Sequence, residues 1–453
     1  SPLPGDWGHV SLYAEGNTIS HLDYEFATDG FTGDNVSNTT IDNLVMVGNL
    51  SLSANGIYLT NSSDLTLINN TITVGGDYGI YSDNSDNSVV NNNTITGSYS
   101  TTIEMRDCDN CHFEGNTLSG NTVLQLEYSN SLVIHDNQVL DYEYCFQLQD
   151  CDSAQITSNE IIKPISSMFD YINCLIHNEN SSSTVIEDNV FSIEEGNRTG
   201  TGDWQIRAFQ SVIRNNSFIV DYNTDSHWSH LNIIQANESV ISENTFSLSS
   251  AKAYFYWHIL DTQGSENNRS VVENNIINID TDFPAYRNWN PDGLLRLNGY
   301  TDFINNNINR QVTYDWEEDF SLILTKGVET IISGNILFDS YNNDATVYVE
   351  NGLSQVFINN VIHSERGSVA IRLSNSDVLI SHNLIESEGR GIEMSNQSGG
   401  EIINNTIVSP NSADFGIHIS NLSAPVVQNN IIEGFANGIY AENDLQNQFI
   451  QNN

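Results

Sequence analysis

Basic residues are scarce in this chain. Its 453 residues hold 58 acids against 14 bases, a net charge of −44 at pH 7. Only Lys163, Lys252 and Lys326 are lysines. Such a surface repels nucleic acid and anionic membranes, so no nucleic-acid partner is expected. It suits surroundings whose cations screen self-repulsion. A polymer partner should be neutral, cationic or held through metal. Long apolar runs are missing too. None approaches the roughly 20 residues of a membrane-spanning helix. No initiator Met or signal peptide precedes Ser1-Pro2-Leu3-Pro4, which reads as a processed or excised start. Prolines number only seven, and helical periodicity of useful length is absent. Both fit a sheet that donates hydrogen bonds throughout.

Cysteine is sparse, with five residues. Repeat alignment places Cys145 and Cys174 at equivalent positions one coil apart, within reach of a disulfide. The alternative is a stack of buried free thiols. Cys108-Asp109-Asn110-Cys111 is a lone C-x-x-C. A zinc site needs a second pair, so no metal site is expected there.

What the chain has in abundance is a repeat. Asn, any residue, then an aliphatic or Phe recurs, as in Asn17-Thr18-Ile19, Asn70-Thr71-Ile72, Asn93-Thr94-Ile95, Asn383-Leu384-Ile385 and Asn430-Ile431-Ile432. Asn49 marks a weaker copy. Spacings are 21–25 residues at both ends and 27–31 in the middle. Each period carries short alternating runs. One reads Gly56-Ile57-Tyr58-Leu59, Gly79-Ile80-Tyr81-Ser82, Gly391-Ile392-Glu393-Met394, Gly416-Ile417-His418-Ile419 and Gly438-Ile439-Tyr440-Ala441. Another reads Leu65-Thr66-Leu67-Ile68, Leu132-Val133-Ile134-His135 and Val378-Leu379-Ile380-Ser381. Period two marks strands. A period this short has no room for a helix crossover, so each must be one coil of a solenoid. The Asn is expected to tolerate left-handed backbone at a tight turn and to stack its amides as a ladder.

This cadence resembles the right-handed parallel β-helix repeat of pectate-lyase-like enzymes, NosD-like periplasmic proteins and archaeal surface proteins. The resemblance runs from about Asn17 to Asn453. It implies an all-β, single-stranded right-handed parallel β-helix of about seventeen coils. Residues 1–30 would form an N-terminal cap and first coil. Residues 31–453 would form the β-helix, with widened, loop-bearing coils at about 160–340. A fold of this kind says little about function.

The widened coils draw attention because solenoid insertions become loops, often on the binding face. They hold Trp204, Trp228, Trp257, Trp289 and Trp316, five of the six tryptophans. They also hold Arg198, Arg207, Arg214, Arg269, Arg287, Arg296 and Arg310. Trp204, Trp228, Trp257 and Trp289 are the candidate sugar-stacking residues. Loop anchoring is the alternative. Asp225-Ser226-His227-Trp228-Ser229-His230 lacks a third metal ligand. If the chain is an enzyme, Arg207, His258, Asp261 and Arg296 are the residues expected to act. An outward row is expected on the Gly-Ile strand: Tyr58, Tyr81, Glu104, Gln125, Gln147, Arg207, Asn232, His258, Arg296, Tyr348, Arg372, Glu393, His418 and Tyr440. The resemblance implies that a lyase would place a basic residue and Ca2+-holding carboxylates on this face. The short Asp cluster of polygalacturonases and the Asp-Pro-His motif of alginate epimerases are both absent. That weighs against a known enzyme of this fold.

Fourteen Asn-x-Ser/Thr sequons are present: Asn35, Asn38, Asn49, Asn61, Asn69, Asn92, Asn180, Asn197, Asn215, Asn237, Asn268, Asn396, Asn404 and Asn421. They favour a secreted chain able to carry glycans. The sequence stops in mid-repeat at Asn453, so self-association, end to end or laterally, is expected. The first reading is therefore an extracellular, glycosylated structural protein of the cell surface, a filament, sheath or layer component built as a rigid rod. A polysaccharide lyase or glycoside hydrolase with its groove on the central coils is the alternative. A non-catalytic carbohydrate-binding adhesin is the third.

Overall fold

The structure is a computed structural model. It describes residues 8–27, 30–48, 55–97, 101–163, 171–172, 174–193, 198–199, 204–222, 229–250, 255–281, 292–312, 320–340, 345–442 and 449–453. The fold is a right-handed parallel β-solenoid, and no helix occurs among the described residues. Accordingly, none of them forms a helix long and apolar enough to cross a membrane. The chain divides into two compact units, Ser1–Val220 and Asp221–Asn453.

Each unit repeats the same coil of three strands. In the first unit one coil runs Ile57–Thr60, Thr66–Ile68 and Thr71–Val74. The next coil pairs onto it in parallel, Tyr58 against Tyr81, Leu67 against Val90 and Ile72 against Ile95. In the second unit Val369–Ser374, Asp377–Ser381 and Leu384–Ser387 make one coil. Its Arg372, Ile380 and Ile385 lie against Glu393, Ile402 and Ile407. The three strands define a Gly-Ile face, a short-strand face and a post-Asn face. Each unit has nine described strands on the short-strand face, so the coil count differs slightly from the expectation.

Alternation sends aliphatic or aromatic residues inward from each face, one for most strands of the short-strand face. Leu67, Val90, Phe113, Ile134 and Ile156 form one such row in the first unit, all fully buried. Ile332, Phe357, Ile380 and Ile402 form its counterpart in the second. Each contributes on the order of 1.5–3 kcal/mol by leaving water.

The asparagines do not do what was expected of them at the turn. Left-handed backbone belongs to the residue before each marker, such as Asn69 (φ 55°), Asn92 (φ 55°), His382 (φ 57°) and Asn404 (φ 56°). The markers themselves are buried and make the ladder. Asn70 Nδ2 donates to Asn93 Oδ1 at 2.9 Å, and Asn93 to Asn116 at 3.0 Å. In the second unit Asn360 donates to Asn383 and Asn383 to Asn405, each at 3.0 Å. Two expected rungs are not in it. Register sets Asn17 level with Thr39, and Asn17 bonds the Thr39 hydroxyl at 3.2 Å. The coil assigned to Asn49 instead has Leu44 at the rung, its N–H 2.9 Å from Asn70 Oδ1. Asn49 itself lies outside the described residues.

The glycine of the Gly-Ile phrase is required by close approach. A Cβ on Gly56 would lie 2.2 Å from the Gly79 carbonyl oxygen, and one on Gly391 2.5 Å from that of Gly416. Charge is also found inside the coils. Lys163 is fully buried, its ammonium bonded to the Tyr142 carbonyl and 3.6 Å from Asp141. Arg310 and Asp339 form a two-pronged buried pair at 2.7 and 2.6 Å.

Cys145 and Cys174 do not form the expected disulfide. Both are buried thiols outside any disulfide, and register sets Cys174 against Tyr144, one residue out of step. Burial, with Cys174 adding to it, pushes the Cys145 thiol well up and so keeps it unreactive. The disulfide is Cys108–Cys111, within the C-x-x-C.

Candidate functional site

The outward row of the Gly-Ile face is continuous in register within each unit. In the first it runs Tyr58, Tyr81, Glu104, Gln125, Gln147, His177 and Arg207. In the second it runs Gln235, Asp261, Arg296, Leu324, Tyr348, Arg372, Glu393, His418 and Tyr440. Asn232 and His258 are therefore not in the row, although they were expected there. They pair with each other three residues earlier on their strands. Two consecutive buried residues precede each outward position but Tyr440, as Ile259 and Leu260 precede Asp261. His258 falls before that pair.

The residues expected to act are thus only partly brought together. Asp261 and Arg296 are neighbours in the row, with Asn298 Nδ2 3.0 Å from Asp261 Oδ1. His258 Nδ1 faces the Gly293 carbonyl at 2.9 Å. Arg207 belongs to the other unit, beside His177. Trp228, Trp289, Trp316, His227 and Asn197, together with the side chains of Trp204, Trp257 and His230, lie outside the described residues.

A denser constellation forms later in the second unit. Arg390 and Phe415 each stand three residues before an outward side chain, Glu393 and His418. The intervening Gly-Ile pair turns inward, so the first and fourth residues of the phrase emerge side by side. Arg372 Nε donates to Glu393 at 2.9 Å, and Arg390 bonds the other carboxylate oxygen. His418 Nε2 is hydrogen-bonded to Glu442 at 3.1 Å, and its Nδ1 lies 3.4 Å from Glu393. The Phe415 ring stacks on His418 at 5.0 Å and on Tyr440 at 4.7 Å. The Arg390 guanidinium lies 5.6 Å from the Phe415 ring centre. Beside them opens a cleft of about 480 Å³ lined by Val369, Arg372, Glu388, Arg390 and Asp414, among others. Glu388 is held there by the Arg366 N–H and the Asn411 amide, both at 2.8 Å.

Burial pushes the Glu393 carboxyl up, but Arg372 and Arg390 more than offset it, and the group stays below the ordinary carboxylate value. A carboxyl whose folded value is depressed stabilises the fold above its unfolded value of ~4.3 and stops doing so as pH falls through the folded value. Glu393→Gln should therefore be clearly less stable than the native chain at about pH 6. The gap should close on acidification below ~4. Urea midpoints of both proteins across pH test this, and a gap that widens in acid would refute it.

Among the described residues, no three His, Cys, Asp or Glu side chains are grouped to hold a metal ion. The site therefore offers hydrogen-bond donors, acceptors and ring faces. Sequence reasoning put Arg372, Glu393, His418 and Tyr440 in the row but missed Arg390, Phe415, Glu388 and Glu442. The Arg390-Gly391-Ile392-Glu393 and Phe415-Gly416-Ile417-His418 phrases carried the signal for the first two.

No curated protein matches the chain. Among solved structures, the A-module of Azotobacter vinelandii mannuronan C-5 epimerase AlgE6 is similar at 11% identity and a TM-score of 0.36, covering 84% of this chain and 89% of its own. An alginate lyase from Paenibacillus sp. str. FPU-7 is similar at 11% identity and a TM-score of 0.28, covering 61% of this chain and 96% of its own. Residues 29–191 and 289–453 match the model of the right-handed β-helix region, and the chain belongs to that family.

Proposed function

We propose that this chain is an extracellular β-helix protein that binds a neutral polysaccharide, without cleaving it, in the cleft lined by Arg372 and Arg390 and across the Phe415 and Tyr440 rings next to it. The observation that carries this reading is the cluster around Glu393. Its aromatic rings present apolar faces that suit pyranose stacking. Tyr440 is 42% exposed and so open to a ligand. Two guanidiniums, of Arg372 and Arg390, stand among the carboxylates of Glu388, Glu393, Asp414 and Glu442, an acidic balance that suits hydroxyl groups better than a polyanion. Hydrolysis needs one carboxyl kept protonated beside a second carboxylate. Glu393, held ionised by Arg372 and Arg390, suits only the second of these roles.

Retention on neutral polysaccharides in affinity electrophoresis tests the proposal. Tyr440→Ala should weaken binding about tenfold, or ~1.4 kcal/mol, with folding intact. Unchanged retention, or new reducing or unsaturated ends in the incubated polymer, would sink it.

A surface-structural role is supported by a different observation. Of the twelve described sequon asparagines, eleven are exposed and Asn237 is half-buried. None occupies a rung of the buried ladder. Glycans at these positions would leave the core untouched, and the Cys108–Cys111 disulfide fits an oxidising compartment. Ile336, Val361 and Leu384, exposed on successive coils, offer an apolar stripe for lateral self-association.

A further inference from the structure

The first unit presents a regular patch on its post-Asn face. Three successive coils carry hydroxyl side chains on either side of one inward residue: Thr71-Ile72-Thr73, Thr94-Ile95-Thr96 and Thr117-Leu118-Ser119. The coils pair here without a register shift. Thr71, Thr94 and Thr117 form one column, and Thr73, Thr96 and Ser119 the other. Members of a column stand ~4.8 Å apart, and the two columns are ~6.7 Å apart along each strand. Val45 and Val47, 40% and 37% exposed, carry both columns one coil further with methyl groups.

The chemistry of the patch narrows what can sit on it. Among the described residues, none of the six hydroxyls has a hydrogen-bond partner. Threonine is β-branched, so its hydroxyl and methyl are held in few orientations. The eight outward positions of these four coils carry no charge, in a chain with 58 acids. The face of a second copy would bury the hydroxyls unpaired, at a cost. A sugar would meet no aromatic ring among the eight side chains. Water meets neither obstacle. Hydroxyls bond it directly and methyl groups order it around them, and no charge reorients it. The step within a column is close to the oxygen repeat along the a axis of hexagonal ice. The step between columns is close to the repeat along its c axis. Over so few coils the mismatch stays small.

We infer that this patch binds ice, fixing the chain by its post-Asn face to the front of a growing crystal. The rigid hydroxyls and methyls hold a water layer already near the crystal's spacing, so little ordering remains to be done on contact. The patch lies within residues 1–220 and stands independently of the cleft at Arg390.

Slow freezing of a dilute solution of the full chain tests it, by comparing protein in the ice with protein left in the liquid. A slowly growing front pushes ordinary solutes ahead of it. The native chain should be enriched in the ice several-fold over serum albumin. Thr94→Tyr raises a ring from the middle of the patch and should lose most of that enrichment. Thr94 is exposed and tyrosine favours strands, so the coil should still form. If it does not, Thr71→Tyr, also at an exposed position, should show the same loss. Thr245→Tyr, on the same face of the second unit, and Tyr440→Ala should keep the enrichment. A native chain left in the liquid like albumin overturns the inference. So does a folded Thr94→Tyr chain that enters the ice as the native one does. A native dimer that Thr94→Tyr dissociates in sedimentation would overturn it in favour of self-association.

Discussion

Replacing Asn383 with leucine is expected to lower stability by about 3–5 kcal/mol, because several buried polar groups lose partners at once. The Asn383 amide donates to the Phe357 and Ser381 carbonyls and to Asn405 Oδ1, all at 3.0 Å. Its oxygen accepts from the Asn360 backbone N–H at 2.9 Å and the Asn360 amide at 3.0 Å. Leucine fills similar volume and returns none of these bonds. A denaturant titration reads the effect. Leu384→Thr, at the exposed next position, is the control and should shift stability by no more than about 0.5 kcal/mol. Equal effects at both sites would mean that the ladder contributes only local turn geometry.

Arg310→Met should be comparably damaging, at about 3–5 kcal/mol, for a different reason. It leaves the carboxylate of Asp339, 1% exposed, without its two-pronged partner. The double change Arg310→Met/Asp339→Leu removes both charges and should recover most of the loss, because desolvating the ions offsets much of their attraction. Thermal unfolding of the two single variants and the double variant decides the matter. A double variant as unstable as the worse single one would show that the charges hold the coil by more than their mutual attraction.

The period of the repeat was enough to read the fold, because each coil must satisfy the same three constraints. Two inward residues precede each outward one, glycine meets the next coil's carbonyl, and an amide bonds its copy. What the period could not supply was register where the marker phrase lapses. Around Asn232 and His258 no Gly-Ile phrase is present, and the expected row ran three residues out of step with Asp261. The same weakness misplaced Cys145 against Cys174 by one residue. Attention to tryptophan and arginine in the long coils drew the candidate site away from Arg390 and Phe415. Those two residues sit in short, regular coils, where composition gives no warning. Their signal was the four-residue phrase with Gly-Ile at its centre, whose outer members emerge together. Tyr78-Gly79-Ile80-Tyr81 shows the same pairing in the other unit.

The rungs also set what this chain can become. Asn116 and Asn137 are 21 residues apart and bond at 2.8 Å. Asn244 and Asn275 are 31 apart and bond at 3.0 Å. Ten extra residues thus change the step between coils hardly at all. The amides act as a ruler that measures height and ignores path length. Inserted sequence must then bulge outward rather than stretch the stack. Surface loops can lengthen, shorten or recombine between neighbouring rungs without forcing compensating changes elsewhere. New binding surfaces can therefore evolve one coil at a time on a scaffold whose geometry does not register the change.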